Sequence, residues 1–331
     1  MRRARLKLFF AALAAVALFA DARAQQPVAA QSPAPSPTPA ATTQPPPDTD
    51  IFVVSLNRVG DKLDFGQPAN ITRHAGYDNQ PSFLPGGDAL LFTSQRENDQ
   101  TDIFRYDLKS GATVQLTRTP ESEYSPTLMP GGKFFSVVRV EADKTQRLWK
   151  FPVAAGGAPS LVLENVKPVG YHLWLDAHTL ALFVLGDEKA GKPNTLQLVT
   201  LDKSRPVAIE ESTLHTSIGR SLQRVPRARA GFSFVHKIAP DDWAIKIVDV
   251  EGHRTELVTQ TLSGSEDLAW LPDGSVLMAQ DSKLFRYDTA HAQGWQQVAD
   301  FTAAGLRHIT RLALSPRADR LALVAQTDAT R

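Results

Sequence analysis

From Asp50 onwards, the chain alternates short apolar runs with polar breaks that are rich in proline and glycine. The first clear example is SFLPGGDALLFTSQ, in which a turn at Pro85 separates two apolar runs of strand length. Proline and glycine supply the backbone angles that tight turns require, so this stretch predicts a β-hairpin. No segment of any length shows the 3.6-residue period of an amphipathic helix. The pattern therefore predicts an all-β protein.

The hairpin pattern occurs six times at nearly constant spacing. Successive turns lie 44 to 50 residues apart, close to the period of about 40 to 50 residues that is typical of one propeller blade. A third and a fourth apolar run follow most turns, as in DIFRYDL and TVQLTRT after the first. Four short antiparallel strands joined by turns make one blade of a β-propeller. The turns begin at Pro85, Pro130, Asp176, Pro226, Pro272 and Pro316.

The two ends of the repeat region are incomplete in complementary ways. The C-terminal strands, at about residues 308–326, match only the first two strands of a unit, and the N-terminal strands, at about residues 50–73, match the third and fourth. Pairing these strands closes the ring and covers its free edges. The sequence therefore predicts a six-bladed β-propeller of four-stranded antiparallel blades over residues 50–331.

The first 49 residues have a different composition. A basic start, an apolar stretch from Leu8 to Ala20 and small residues up to Ala24 are typical of a secretory signal peptide, residues 1–24. The apolar stretch is shorter than the roughly 20 residues that a membrane-spanning helix needs. Residues 25–49 are rich in proline and nearly devoid of large apolar side chains, which predicts a disordered linker.

Charge and cysteine content narrow the class of function. The chain has 36 basic residues, 35 acidic residues and no cysteine, and loss of residues 1–24 leaves 31 basic and 34 acidic residues. This balance does not indicate a nucleic-acid partner. The absence of cysteine excludes disulfides and attachment of a lipid at a cysteine. Together with the signal peptide, these features predict a periplasmic protein with no membrane span in its mature form, and we expect a monomer.

The repeat units resemble the WD40-like propeller repeat of the TolB family of periplasmic proteins. The matching segments are Pro85-Gly86-Gly87, Thr93-Ser94, Asp102-Ile103-Phe104 and Gln115-Leu116-Thr117. The resemblance implies the same six-bladed fold over nearly all of residues 50–331. It also implies binding of cell-envelope proteins at the mouth of the propeller channel. The family's small α/β domain ahead of the propeller is replaced here by the proline-rich segment.

Candidate binding residues lie in the segments that lead into the first strand of each blade. In a propeller these strands line the central channel, so the lead-in segments gather at one of its mouths. They are rich in tyrosine, arginine and carboxylates, and tyrosine and arginine are enriched in recognition hot spots. We expect a protein or peptide of the cell envelope to bind there. The candidates are Tyr77, Asp78, Asn79, Glu123, Tyr124, Tyr171, His172, Arg220, Glu266, Asp267, Arg307 and His308.

Three other interpretations of this mouth stay open. Polar loops collect at any solvated channel mouth, with or without a ligand. A saccharide of the envelope also suits such a ring. Propellers of the lactonase type hold calcium with carboxylate and amide oxygens, which Asp78, Asn79, Glu123, Glu266 and Asp267 carry.

Motifs of catalysis or of metal binding are missing from the sequence. There is no G-x-S-x-G motif and no metal-ligand spacing. We therefore expect binding rather than catalysis, with no catalytic residue, no metal site and no cofactor, and calcium stays the alternative.

Overall fold

A computed structural model describes residues 47–97, 100–154, 156–226, 231–251 and 254–327. It shows six antiparallel sheets. Each has a path of four paired strands, and the sheet that contains both chain ends has one additional short strand. This confirms the predicted all-β six-bladed propeller. The predicted signal peptide and residues 25–46 of the predicted linker lie outside the described residues. Thr49, assigned to the linker, is buried and bridges to Tyr77, so ordered pairing begins one residue earlier than predicted.

The strands follow one another along the chain in the order that the repeats predict. The N-terminal strands are β1 (Asp50–Val59), β2 (Lys62–Phe65) and β3 (Ala69–Asn70). Blade 1 contains β4 (Asp78–Phe83), β5 (Ala89–Glu97), β6 (Gln100–Asp107) and β7 (Thr113–Gln115). Blade 2 contains β8 (Ser122–Leu128), β9 (Phe134–Val140), β10 (Gln146–Pro152) and β11 (Ser160–Leu163). Blade 3 contains β12 (Val169–Trp174), β13 (Thr179–Val184), β14 (Thr195–Leu201) and β15 (Ala208–Thr216).

The remaining blades continue the series. Blade 4 contains β16 (Ile218–Arg224), β17 (Gly231–Ala239), β18 (Asp242–Asp249) and β19 (Arg254–Gln260). Blade 5 contains β20 (Leu268–Trp270), β21 (Val276–Gln280), β22 (Lys283–Tyr287) and β23 (Trp295–Asp300). The C-terminal strands are β24 (Leu306–Leu314) and β25 (Arg320–Thr327). Two short 3₁₀ turns, Glu188–Ala190 and Thr302–Ala304, are the only helical elements of the described residues, and neither could cross a membrane.

Blade 6 joins the two ends of the chain, as predicted. Strand β1 pairs antiparallel with β25, from Asp50 opposite Ala325 to Ser55 opposite Arg320. The outer edge of this blade differs from the prediction, because β1 continues into a hairpin with β2 before β3 pairs with the same strand. Gly60, with a φ of 61°, makes the hairpin turn and adopts this left-handed conformation without a steric penalty.

The hydrophobic core consists of six layers, one between each pair of neighbouring blades. Alternate side chains of a strand point to opposite faces of its sheet. In β1, Ile51 and Val53 pack towards blade 1, whereas Phe52 and Val54 pack towards blade 5. Both faces of the inner strands are therefore buried, which explains why they read as continuous apolar runs and not as a strict alternation.

Candidate functional site

A hydrogen bond crosses the central channel between opposite blades. Arg311 lies in β24 of blade 6, and its Nη2 donates to the Tyr171 hydroxyl in β12 of blade 3 at 2.9 Å. The guanidinium carbon also lies 5.1 Å from the centre of the Tyr171 ring. Blades 3 and 6 lie opposite each other in the circle of six blades, so this contact spans the channel axis. The two side chains therefore meet inside the channel.

Asp267 joins two arginines beside this bond. It directly precedes β20 of blade 5, and its Oδ2 accepts from Arg220 Nε at 3.0 Å and from Arg311 Nη1 at 3.3 Å. Arg220 also donates from Nη2 to the backbone oxygen of Thr310 in blade 6 at 3.2 Å. Burial acts to lower the pKa of Arg311, but Asp267 and Tyr171 outweigh it and raise that pKa above its ordinary value. The guanidinium therefore stays charged.

Glu266, the residue before Asp267, forms further ion pairs with Arg220 and Lys237. Its Oε1 accepts from the backbone N–H of Arg220 at 2.6 Å and lies 3.3 Å from Lys237 Nζ. Gly219 makes this close approach feasible, because a Cβ at this position would lie 2.6 Å from Glu266 Oε1. Glu266 is thus held against the backbone of β16.

Tyr77, which directly precedes β4 of blade 1, lies within electrostatic range of Arg311, Arg220 and Tyr171. Burial raises the pKa of its hydroxyl, Arg311 and Arg220 act to lower it, and Tyr171 and Tyr124 act to raise it. The phenol therefore stays neutral among these groups. We call the following residues the channel cluster: Tyr77, Tyr171, Arg220, Glu266, Asp267 and Arg311. Five of these six were predicted from the sequence, and Arg311 was missed.

A cavity of about 310 Å³ lies beside the channel cluster. All six blades contribute to its lining. Its lining residues follow the cluster along the innermost strands, towards the turns that join the first and second strands of each blade. The cavity therefore occupies the hairpin-turn end of the channel, whereas the predicted mouth is the lead-in end. The polar and charged lining residues are Gln80, Ser82, Ser125, Thr127, Tyr171, His172, Arg220, Ser221, Gln223, Asp267 and Arg311.

Two predicted carboxylates are buried between blades and not at the cavity. Asp78 and Glu123 are both fully buried at the start of their strands. Burial raises the pKa of Asp78 to about 6, and the nearby Asp50 acts in the same direction. Burial likewise raises the pKa of Glu123 to about 7, with Asp102 as a further contribution. Asn79 is also buried, and its Oδ1 accepts from the backbone N–H of Gln80 at 2.8 Å.

Glu123→Gln is expected to stabilise the protein at pH 8 and to have little effect near pH 4. The pKa of Glu123 is raised from 4.5 to about 7 in the folded protein. The folded state therefore holds a proton that the unfolded state releases, and stability falls as the pH rises through this window. The gain at pH 8 should be of the order of 3 kcal/mol, since a difference of one pKa unit corresponds to about 1.4 kcal/mol. Thermal unfolding of both forms from pH 4 to pH 8 measures it.

Glu256→Gln, on the exposed part of β19, is the matched control for this substitution. It should shift the melting temperature equally little at every pH. A Glu123→Gln variant that is less stable than the natural protein at pH 8 would contradict the assignment of a carboxyl that burial keeps protonated.

The remaining candidates make their contacts mainly outside the channel cluster. His172 lines the cavity but is buried, with Nε2 at 2.6 Å from Ser136 Oγ, and burial lowers its pKa to about 3. Tyr124 packs against the hydrophobic layer between blades 2 and 3. Arg307 donates to the backbone oxygen of Leu306, and the imidazole of His308 is 68% exposed.

The shift from Arg307 to Arg311 has a cause in strand pairing. The register between β24 and β25 slips between these two arginines, so that Arg307 pairs with Gln326 and Arg311 with Val324. Such an irregularity inserts extra residues into one strand and changes the direction of the side chains. Repeat spacing alone therefore selects Arg307 in blade 6, whereas the structure brings Arg311 into the channel.

The five side chains that suggested calcium do not converge. Asp78 and Asn79 lie in blade 1, Glu123 lies in blade 2, and Glu266 and Asp267 are paired with cations at the channel cluster. Within residues 47–97, 100–154, 156–226, 231–251 and 254–327, no three His, Cys, Asp or Glu side chains are placed to hold one metal ion.

Comparison with known proteins identifies the fold. No family model and no curated protein matches this chain. A solved structure assigned as TolB from Agrobacterium tumefaciens is similar, with a TM-score of 0.63 and 16% identity over 85% of this chain and 99% of that one. TolB from Acinetobacter baumannii gives a TM-score of 0.51 and 12% identity, over 84% of this chain and 64% of that one.

A structure assigned as a gluconolactonase is also similar. Its TM-score is 0.55 at 10% identity, and the match covers 83% of this chain and 98% of that one. Identities this low show the fold and leave the activity to be decided from the site. The chain has the fold of the TolB-like six-bladed β-propellers.

Proposed function

We propose that this protein is a periplasmic binding module that recognises a protein or peptide of the cell envelope at the propeller channel. The observation that carries this proposal is the channel cluster, which brings tyrosine and arginine side chains from four blades to one level. Tyrosine and arginine are the residue types that dominate recognition hot spots. Hydrogen bonds across the channel hold them in place before a partner arrives, which reduces the entropy that binding costs.

Two further observations support this proposal. The TolB structures share the propeller fold, and the sequence begins with the pattern of a secretory signal peptide. A propeller exported to the periplasm meets envelope proteins, peptides and saccharides as its available partners.

The alternative, a calcium-dependent hydrolase, rests on the fold of the structure assigned as a gluconolactonase. In the channel cluster, Glu266 and Asp267 are paired with Arg220, Arg311 and Lys237. Three cations face two carboxylates in this group, a balance that favours an anion over a divalent cation.

Site-directed photo-crosslinking in the periplasm tests the proposed function. A photoreactive amino acid in place of Gln223, at the cavity, is expected to give a defined crosslinked envelope protein. The yield should fall about tenfold when Arg220→Ala is added, because truncation of a hot-spot arginine weakens binding by that order.

A photoreactive residue in place of Glu256, on the exposed outer strand β19, is the control position. It should give no such product. The same product from both positions, or a yield that Arg220→Ala leaves unchanged, would contradict binding at the channel.

A further inference from the structure

We propose that the cavity at the hairpin-turn end of the channel binds a carboxylate of the recognised peptide on the guanidinium of Arg311. This inference deepens the proposed function and rests on it. The carboxylate belongs either to the C-terminus of the peptide or to an aspartate or glutamate side chain. The binding site then lies at the hairpin-turn end of the channel and not at the lead-in end.

The charges of the cavity lining favour an anion. Arg220, Arg311 and Asp267 are the only charged side chains that line the cavity within the described part of the chain. Two guanidiniums share this one carboxylate, at 3.0 and 3.3 Å. The lining therefore carries one positive charge in excess, in a partly enclosed space where electrostatic attraction is stronger than in bulk water.

Arg311 has more N–H donors than its two hydrogen bonds to Asp267 and Tyr171 use. A guanidinium has five N–H donors, and within the described residues Arg311 donates one from Nη1 to Asp267 and one from Nη2 to Tyr171. A planar guanidinium matches a carboxylate with two parallel hydrogen bonds, which are shorter and stronger than hydrogen bonds between neutral groups. The remaining donors of Arg311 can form such a pair with a ligand while Tyr171 keeps the arginine oriented.

Two residues of the cavity wall carry buried polar atoms without a partner. Ser221 is 3% exposed and His172 is 7% exposed, and both line the cavity. Ser221 Oγ and His172 Nδ1 have no hydrogen-bond partner within the described residues. A buried polar atom without a partner costs about 1–3 kcal/mol. Their presence in residues of this wall, beside Arg311, favours a polar binding site.

Backbone conformation supports the same location. Gln80 and Ser125 line the cavity from blades 1 and 2, with φ values of 56° and 54°. Residues other than glycine rarely adopt positive φ, and strained positions of this kind cluster at binding sites. Gln80 Oε1 accepts from Thr93 Oγ1 and from the backbone N–H of Ser125, each at 2.8 Å, which fixes the side chain beside the cavity.

The size of the cavity limits what can enter. A volume of about 310 Å³ lies at the lower end of the range of ligand pockets. The hydrogen bond between Arg311 and Tyr171 crosses the inner end of the cavity. A chain terminus or a side chain with its neighbours can enter from the hairpin-turn end.

Four pools of fluorescent tetrapeptides test the proposal on the full-length protein. The pools combine a free C-terminus or a C-terminal amide with the presence or absence of aspartate and glutamate. Binding is measured by fluorescence anisotropy. The three pools that carry a carboxylate should bind at least about tenfold more tightly than the pool without one, which corresponds to a single charge-assisted pair. Comparison of the two single-carboxylate pools distinguishes the C-terminus from the side chain as the source.

Variants assign this preference to the cavity. Arg311→Gln should abolish the preference for carboxylate pools, and Arg254→Gln, on the outer strand β19, should leave it unchanged. Ser221→Ala keeps the ion pairs intact and should weaken binding of the carboxylate pools several-fold, so the test does not depend on the stability of Arg311→Gln. Circular dichroism confirms that each variant is folded.

The possible results separate the two proposals. Equal binding of all four pools would overturn the carboxylate inference while leaving peptide recognition intact. A carboxylate preference that survives in Arg311→Gln and in Ser221→Ala would overturn the location. No binding of any pool would overturn the carboxylate inference, and only the additional absence of a crosslinked product from position 223 would overturn the proposed function as well.

Discussion

Val54→Asp is expected to abolish cooperative folding of the propeller, whereas Val59→Asp, in the same strand, is expected to leave it almost unchanged. Val54 is 0% exposed and pairs with Leu321 in the sheet that joins the two chain ends. A carboxylate there must be buried among apolar side chains between blades 5 and 6, which costs several kcal/mol or more. That cost is comparable to the whole stability of a typical domain, about 5–15 kcal/mol.

Val59 provides a matched control, because it is 73% exposed near the end of the same strand. Substitutions at such positions usually change stability by about 0.5 kcal/mol or less. Urea unfolding followed by tryptophan fluorescence and circular dichroism measures both variants. If Val54→Asp unfolded at the same urea concentration as the natural protein, β1 would not be the strand that closes the ring.

Asp267→Ala is expected to lower the free energy of unfolding by about 3–5 kcal/mol, the usual cost of removing one partner of a buried ion pair. Its side chain is nearly buried and accepts from both Arg220 and Arg311. Without the carboxylate, two guanidiniums would face each other with only Glu266 to balance them. Thermal and urea unfolding measure the loss.

A second substitution makes this prediction specific to charge. Adding Arg311→Met to Asp267→Ala should restore part of the stability, by about 1–2 kcal/mol, because the unpaired cation is removed. Asp300→Ala removes a more exposed carboxylate that lies 3.8 Å from Lys283 and accepts two hydrogen bonds from Thr302, and it should cost much less stability than Asp267→Ala. If the double variant were less stable than Asp267→Ala alone, packing of the arginine stem and not its charge would dominate.

The blade count and the closure of the ring could be predicted because they depend on features that repeat. Turns that begin with Pro85 or Pro272 need only local backbone angles, and these recur in the sequence whatever surrounds them. The hairpin between β1 and β2 was missed because Lys62–Phe65 is a single copy without a counterpart in the other blades. A repeating sequence pattern cannot predict a strand that occurs in one blade only.

Individual site residues were harder to predict, since a shift of one residue in a strand reverses the face to which its side chain points. Asp78 and Glu123 directly adjoin tyrosines in the sequence, yet both carboxyls are buried between blades. Arg311 lies four residues beyond Arg307, past an irregularity in strand pairing that sequence spacing does not reveal. The signal that would have found it is the arginine itself, because a cation on an otherwise apolar inner strand needs a partner.

The hydrogen bond between Arg311 and Tyr171 connects opposite sides of the ring of blades. Contacts between neighbouring blades fix only neighbouring distances, so a ring built from them alone can flatten into an oval without breaking any blade. A link between opposite blades fixes the diameter and resists that deformation. Because the same guanidinium lines the cavity, the diameter of the ring between blades 3 and 6 and the occupancy of its centre are coupled through one side chain.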